Sequence, residues 1–346
     1  MTFTPEQEAL RDALATLLAK RSDSAAVRRA MASEHGYDVE LWTTLCELGV
    51  PALAIPEVFS GAGAGAAEVH VALEELGRGL TPSPLLGGYL AARLLLALGD
   101  DDASARLLPR ISAGEIVAVA WADEQGWRAG AVRREGRTLH GTAHYVLDGD
   151  LAAVLLVVTP DAVVEVDPDQ PGVQRRHTPA VDPTRRLATV SFDGAVGTAL
   201  GGDSVPSCTQ ALAAACVALT AEQVGAMAQA LAMTVEYSKV RVQFGRPIGS
   251  FQALKHRMAD LHVLVEAARA ASYAALAGEL EPSVAKAYCS EAFCTVAGEA
   301  IQLHGGIAIT WEHDAHLYFK RAYGSAALFG SPADHVAAVA ASIGAE

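Results

Sequence analysis

The sequence predicts an α+β chain in three successive blocks: a helical N-terminal domain over residues 1–112, a middle β barrel or sandwich over 113–204, and a C-terminal four-helix bundle over 205–346. Three observations predict it. Apolar residues recur at helical spacing through the first ~110 residues. The texture then changes at Ile116 to short β-type runs cut by turn residues. From Ser207 long alanine-rich helical segments return. The 346 residues suffice for two or three domains at roughly 100–200 residues each.

The elements follow in order. Residues 4–20 read as a helix, with Leu10, Leu14, Leu17 and Leu18 on one face. Residues 38–48 form a second helix, closed by Gly49-Val50-Pro51. Helices over 67–78, 85–99 and 103–112 complete the first block, stopped by Gly77-Arg78 and Gly99-Asp100. Strands follow over Ile116–Trp121, a hairpin over 131–141 turning at Glu135-Gly136, and runs at Val154–Val158, Ala162–Val166, Val173–His177 and Leu187–Phe192. Helices near 207–239, 251–278, 282–303 and 315–328, and a last one from Pro332, make the bundle. There is no alternation of strand and helix, so a doubly wound sheet is excluded.

Composition narrows the function. With 51% hydrophobic and 19% charged residues the chain can bury a core and is not a disordered sequence. Its net charge of −14 argues against nucleic-acid binding, which needs a basic face. Five cysteines, Cys46, Cys208, Cys216, Cys289 and Cys294, form no CxxC pair and lie at no metal-ligand spacing. All five read as buried thiols in a reducing cytosol, and no metal is expected. No signal peptide is read at the start of the sequence, so a cytoplasmic location is expected. Cys208–Val235 is nearly free of charge, but it is alanine-rich and carries Gln210, Glu222, Gln223 and Gln229. A buried bundle helix explains it better than membrane insertion. Gly61-Ala-Gly63-Ala-Gly65-Ala66 fits the dinucleotide fingerprint G-x-G-x-x-A, yet the strand that must precede it is cut short at Pro56. It reads as a small-residue loop.

The segment from Tyr237 to Asp260 carries the chemistry. A long helix ends near Val240, Gly245, Pro247 and Gly249 make a tight connection, and Ser250 is a good N-cap for the next helix. Arg241 and the free N–H groups of loop and helix start would converge on one spot, which suits a diphosphate. An ordinary helix hairpin with Arg241 capping carbonyls explains the spacing equally well.

The segment resembles the signature of the acyl-CoA dehydrogenase family, R-x-Q-F-G-x-P-I-x-x-F-Q-x-x-x-H. The matches are Arg241, Gln243, Phe244, Gly245, Pro247, Ile248, Phe251, Gln252 and His256. Gln302-Leu-His304-Gly305-Gly306-Ile-Ala-Ile-Thr310-Trp-Glu312 resembles the family's Q-x-H-G-G-x-G-x-T-x-E. Leu48-Gly49 to Pro56-Glu57, Glu74-Glu75-Leu76-Gly77-Arg78 and Asp182 to Arg186 resemble further family stretches, so the likeness covers nearly the whole chain. It implies the family's α, β and four-helix-bundle domains. It further implies FAD as cofactor, an acyl-CoA thioester as substrate, and an electron-transferring flavoprotein as acceptor. By the same resemblance Arg241, Gln243, Phe244, Phe251, Gln252, Gln302 and the His304-Gly305-Gly306 backbone would contact the FAD of a neighbouring subunit. For the glycine pair taken alone, a helix C-cap suffices.

The departures are as informative. The family's base is a glutamate 23 residues after the glycine pair, which here is Phe329, followed by Gly330. The other base position of the family falls on Ala215. Glu222 is the nearest carboxylate on that helix and the alternative base, or else a polar contact inside the bundle. The expected T-E-P-G-A-G-S-D loop is replaced by Ala122-Asp-Glu-Gln-Gly-Trp127, and the W-I-T-N segment by Tyr145-Val-Leu-Asp148-Gly149. Ser331-Pro332 stands where polar flavin contacts are usual. The in-trans half of the flavin site is therefore kept while the in-cis half and the base are lost. The resemblance then points to the base-lacking subunit of a bacterial α2β2 acyl-CoA dehydrogenase, paired with a paralogous catalytic chain and acting on a bulky sterol side-chain thioester. A self-sufficient homomeric dehydrogenase using Glu222, a scaffold that never touches flavin, and an acyl-CoA oxidase are the competing readings.

Overall fold

The computed structural model describes residues 3–127, 130–342 and 344. Helices α1 (Pro5–Arg21), α2 (Ser24–Met31), α3 (Val39–Glu47), α4 (Ala66–Arg78), α5 (Leu85–Leu98) and α6 (Asp101–Ser112) come first. Strands β1 (Val117–Ala120), β2 (Val132–Glu135), β3 (Thr138–Leu147), β4 (Val154–Val158), β5 (Val163–Val166), β6 (Val173–His177), β7 (Leu187–Val196) and β8 (Thr198–Ala199) follow. Then come α7 (Ser204–Val240), the short strands β9 (Val242–Gln243) and β10 (Arg246–Pro247), and helices α8 (Gln252–Leu276), α9 (Pro282–His304), α10 (Ala315–Ala327) and α11 (Pro332–Ser342). This is the α+β architecture the sequence predicts. Missed from sequence were α2, whose first turn is capped by Asp23 accepting from Ala26 N at 2.7 Å, and the two-residue strands β8, β9 and β10. No strand precedes the Gly61–Ala66 loop, which runs straight into α4.

The described residues divide into two compact units, one of residues 3–27, 70–81 and 217–342, the other of 28–69 and 82–216. The second unit holds two four-stranded sheets, ordered β1-β4-β5-β8 and β2-β3-β7-β6. Their inner faces share one core, with Ala118 and Leu155 from the first sheet and Val132, Leu139, Val190 and Phe192 from the second. The result is a sandwich, because each sheet has one apolar face to hide. Strands β1 and β4 pair in parallel and are buried along their whole length, so they read as continuous apolar runs rather than alternating ones.

The first unit is the helical bundle with α1 and the end of α4. Helix α1 starts with a reciprocal cap, Thr4 Oγ1 accepting from Gln7 N and Gln7 Oε1 from Thr4 N. Helix α7 runs through the bundle. Its Thr220 hydroxyl bonds Ser272 of α8 at 2.7 Å, and the Gln223 amide donates to Ser290 of α9 and Ser325 of α10. Against α4 it crosses at glycines from both sides. A Cβ at Gly225 would overlap the Glu74 carbonyl, and one at Gly77 would overlap the Glu222 carbonyl. Backbones this close leave no room for any side chain, which is why the Glu-Glu-Leu-Gly-Arg stretch of α4 has its glycine.

Helix α7 and the stretch Pro282–Ile309 are long and apolar enough to cross a membrane by length and composition, but 78% of the apolar window of α7 is buried within the protein. The cysteines are all free. Only Cys208, Cys216 and Cys289 are buried; Cys46 and Cys294 keep partial exposure, which corrects the expectation for those two. Among the described residues no three His, Cys, Asp or Glu side chains gather as a metal site.

Candidate functional site

After Val240 the chain makes a β9–β10 hairpin whose two turn residues, Phe244 (φ 52°) and Gly245 (φ 76°), are both left-handed. That is the conformation two-residue hairpin loops favour, because its twist matches the strands. Val242 faces Pro247, Gln243 faces Arg246, and Ile248 N donates to Arg241 O at 2.8 Å. Cross-strand partners share a face and faces alternate. Arg241 and Gln243 therefore lie on one face, with Val242 on the other. Both side chains are exposed. The Phe244 ring is 91% exposed and meets Phe251 edge-on at 6.0 Å.

Ser250 is not the N-cap expected from sequence. Its hydroxyl donates to Pro247 O at 2.7 Å, bracing the loop, and α8 starts only at Gln252 behind Phe251, which offers no side-chain cap. The first N–H groups of α8 are thus left for another acceptor.

The glycine pair sits at the end of α9. Gly305 has φ 68° and ψ −146°, a corner close to glycine-only backbone, and nothing lies within 4 Å of where a Cβ of Gly305 or Gly306 would be. Gln302, Gly305 and Gly306 are exposed. His304 is different. Its side chain is buried and turned inward, with Nδ1 donating to Ala300 O at 2.7 Å. Nδ1 carries the proton in that contact, so Nε2 is a bare lone pair, and it is buried with no partner. Burial first, then His313, pulls the His304 pKa below its usual value, while the Ala300 carbonyl opposes them. Only the backbone of His304 can belong to an exposed site. The imidazole instead stacks on Tyr237 at 4.5 Å, and Tyr237 O accepts from Arg241 N. This stack joins the arginine loop to the glycine pair. The sequence motifs assign Tyr237 no role; its place one helical turn before Arg241 is the available signal.

At the usual base position Phe329 is 1% exposed. Its carbonyl meets His335 Nε2 at 3.1 Å, and Lys286, also buried, donates to Ser290 Oγ, Ala326 O and Gly330 O. Ser331 and Asp334 cap α11 reciprocally. Ala215 is buried on α7. Glu222 takes a buried bond from Arg321 Nη1 at 2.6 Å. A carboxylate that neutralises a buried guanidinium is not poised to accept a substrate proton, so the geometry favours the polar bundle contact over the base.

In the other unit Ala122–Trp127 is a tight turn in which Asp123 Oδ1 accepts from the N–H groups of Gln125 and Gly126. Tyr145 (φ 55°) and Asp148 (φ 51°) are left-handed, and the β3–β7 register slips between Ala143 and Val146. Leu147 and Asp148 are buried under Gly87 of α5. Burial pushes the Asp148 carboxyl up to about 7, partly offset by Arg185, with Asp150 adding to the rise. The folded chain therefore holds a proton there that the unfolded chain releases near 3.8, and stability falls as pH rises from that value through 7. Asp148→Asn, which tolerates left-handed backbone, should raise the melting temperature at pH 8 by several degrees. The gain should vanish towards pH 4, as read by thermal denaturation of both proteins at the two pH values.

Two family models match the chain, the acyl-CoA dehydrogenase N-terminal domain over residues 4–115 and its C-terminal domain over 205–344. This chain belongs to the acyl-CoA dehydrogenase family. The acyl-CoA dehydrogenase IpdE2 of Mycobacterium tuberculosis is 44% identical to it over 337 residues, 96% of this chain and 95% of that protein. Among solved structures, the Tcur3481–Tcur3483 steroid ACAD superimposes with a TM-score of 0.90 at 28% identity, covering 98% of both chains. The ChsE4–ChsE5 complex from Mycobacterium tuberculosis does so with a TM-score of 0.90 at 26% identity, covering 100% of this chain and 99% of that one. Acyl-CoA dehydrogenases are FAD-dependent oxidoreductases.

Proposed function

We propose that this acyl-CoA dehydrogenase chain supplies half of an FAD site, across a subunit interface, to a paralogous catalytic chain in an α2β2 complex. The observation that carries the reading is Phe244, 91% exposed beside an arginine. Leaving a phenyl ring in water forgoes about 1.5–3 kcal/mol that burial against a partner would return. Arg241, Gln243, Gln252, Gln302 and the Gly305-Gly306 backbone are exposed as well, and groups of this kind suit a dinucleotide. At the family's base position, by contrast, stands a buried phenylalanine.

In this reading FAD, when bound, would supply the hydride acceptor for dehydrogenation of an acyl-CoA, and the proton acceptor would come from the partner chain. This chain removes no proton. Arg241 would neutralise the cofactor's diphosphate. Phe244 and Phe251 would pack on its adenine, and the glycine pair would let backbone N–H groups approach it. The solved relatives support a steroid thioester as substrate and a pair of unlike chains as the assembly, since one is a steroid ACAD and the other a complex of ChsE4 with ChsE5. The family's usual acceptor, an electron-transferring flavoprotein, and a cytoplasmic location complete the proposal.

The test is flavin stoichiometry. The chain purified alone should be flavin-free or insoluble, and co-expressed with its paralogue should yield about one FAD per pair of unlike chains. One FAD per chain in the lone protein, with dehydrogenation of an acyl-CoA, would sink the proposal in favour of a homomeric enzyme.

A further inference from the structure

The hairpin that carries Arg241 holds a second cation to which the resemblance assigns no role. Arg246 is the cross-strand partner of Gln243, and Arg241 is tied to Ile248 by the bond from Ile248 N. By the alternation of the ladder Arg241, Gln243 and Arg246 leave the same face. The Arg246 guanidinium carbon lies 4.0 Å from the centroid of the Phe251 ring. That ring is in turn braced edge-on by Phe244.

Two neighbouring cations, though not the exposed Lys255, are neutralised within the chain. Lys239 donates to Glu236 at 2.6 Å and Arg257 to Glu299 at 2.8 Å. Arg241 and Arg246 meet no carboxylate within 4 Å among the described residues. Two uncompensated positive charges thus share one face of a six-residue turn, in a chain of net charge −14. A stacked guanidinium is also pre-oriented. A guanidinium that lies flat on a ring keeps its N–H edges available for bidentate contact with phosphoryl oxygens.

We infer that Arg246 is the second arm of a two-arginine clamp on an adenosine diphosphate group, with Arg241 as the first and the Phe251 ring as the platform that sets its orientation. The inference rests on the half-site reading above. FAD and coenzyme A both carry such a group, and the hairpin face shared with the FAD residues Arg241 and Gln243 favours FAD. One arginine matches one of the two charges of a diphosphate, and the pair matches both.

The clamp is tested on the heteromeric complex stripped of flavin, by titrating FAD and following its fluorescence for wild type, Arg241→Ala, Arg246→Ala and Arg246→Lys. Arg246→Ala should weaken FAD binding about tenfold. It should also flatten the salt dependence of the dissociation constant, because one screened charge pair is gone. Arg246→Lys, which keeps the charge but loses the planar fork, should fall between. FMN, which lacks the diphosphate bridge and adenosine, should bind all four proteins alike. KM for acyl-CoA in the reloaded complexes should not change. If Arg241→Ala weakens FAD and Arg246→Ala leaves both its affinity and its salt dependence at wild type, the clamp is wrong and the half-site stands. A rise in KM for acyl-CoA with unchanged FAD affinity would give Arg246 to coenzyme A and overturn the assignment. Normal FAD binding by both alanine variants would overturn the half-site itself.

Discussion

Arg241→Ala should leave the heteromeric complex assembled but with most of its flavin gone after gel filtration. The side chain is exposed, and Arg241 is held by backbone bonds, Arg241 N to Tyr237 O and Ile248 N to Arg241 O. Both survive truncation, so the substitution should read out the ligand rather than the fold. A guanidinium–phosphate contact is charge-assisted and often bidentate, worth about 1.5–3 kcal/mol, which is roughly 10–150-fold in affinity. The check is the FAD-to-protein absorbance ratio together with a melting curve. A full flavin content with an unchanged melting curve would favour the chain as a scaffold that stabilises its partner without touching the cofactor.

The second large effect concerns stability. Arg321→Met should cost about 3–5 kcal/mol, because it removes the guanidinium that balances the buried Glu222 carboxylate. The side chains of Glu222 and Arg321 are only 8% and 5% exposed, so water cannot take over the lost role. Changing both, to Glu222→Gln with Arg321→Met, should recover much of the loss, since the charge that needed a partner has gone. Urea denaturation of the three variants measures this directly. The same set decides the alternative base. Glu222→Gln should lower stability and leave turnover per folded complex intact. Abolished turnover in a complex of wild-type stability would restore Glu222 as the proton acceptor.

Much of this molecule was legible in its sequence because the signals were local. Helix α9 was placed over 282–303 and observed over Pro282–His304, since Pro282 and Gly305 punctuate it. The strand at Val173–His177 was placed without error between turn residues. Helix α2 was missed because eight residues, Ser24–Met31, give too few turns for periodicity to show, and its cap lies one residue outside it. Ser250 misled for a related reason. A serine before a helix usually caps it, yet here a long-range demand of the loop, the Pro247 carbonyl, took the hydroxyl first. Within the site the motif gave the residue types, but not the burial that separates them. No spacing argument distinguishes an exposed Gln302 from an inward His304, or a free Glu222 from one held by Arg321 ninety-nine positions on. The stack of Tyr237 on His304 joins two motifs 67 positions apart, and such a contact exists only once the bundle has closed.

The glycine crossing of α4 and α7 has a mechanical consequence. Overlap from both sides at Gly77 and Gly225 means that α7 can neither slide along α4 nor roll against it without driving backbone into backbone. Arg241 lies sixteen residues beyond Gly225, about 24 Å along the helix axis. A slip of one residue at the crossing would advance the arginine about 1.5 Å and swing it by about 100°, enough to aim it away from any anion. The crossing thus acts as a keyed shaft: the bearing of the cation at the far end is set where two glycines lock, sixteen residues away.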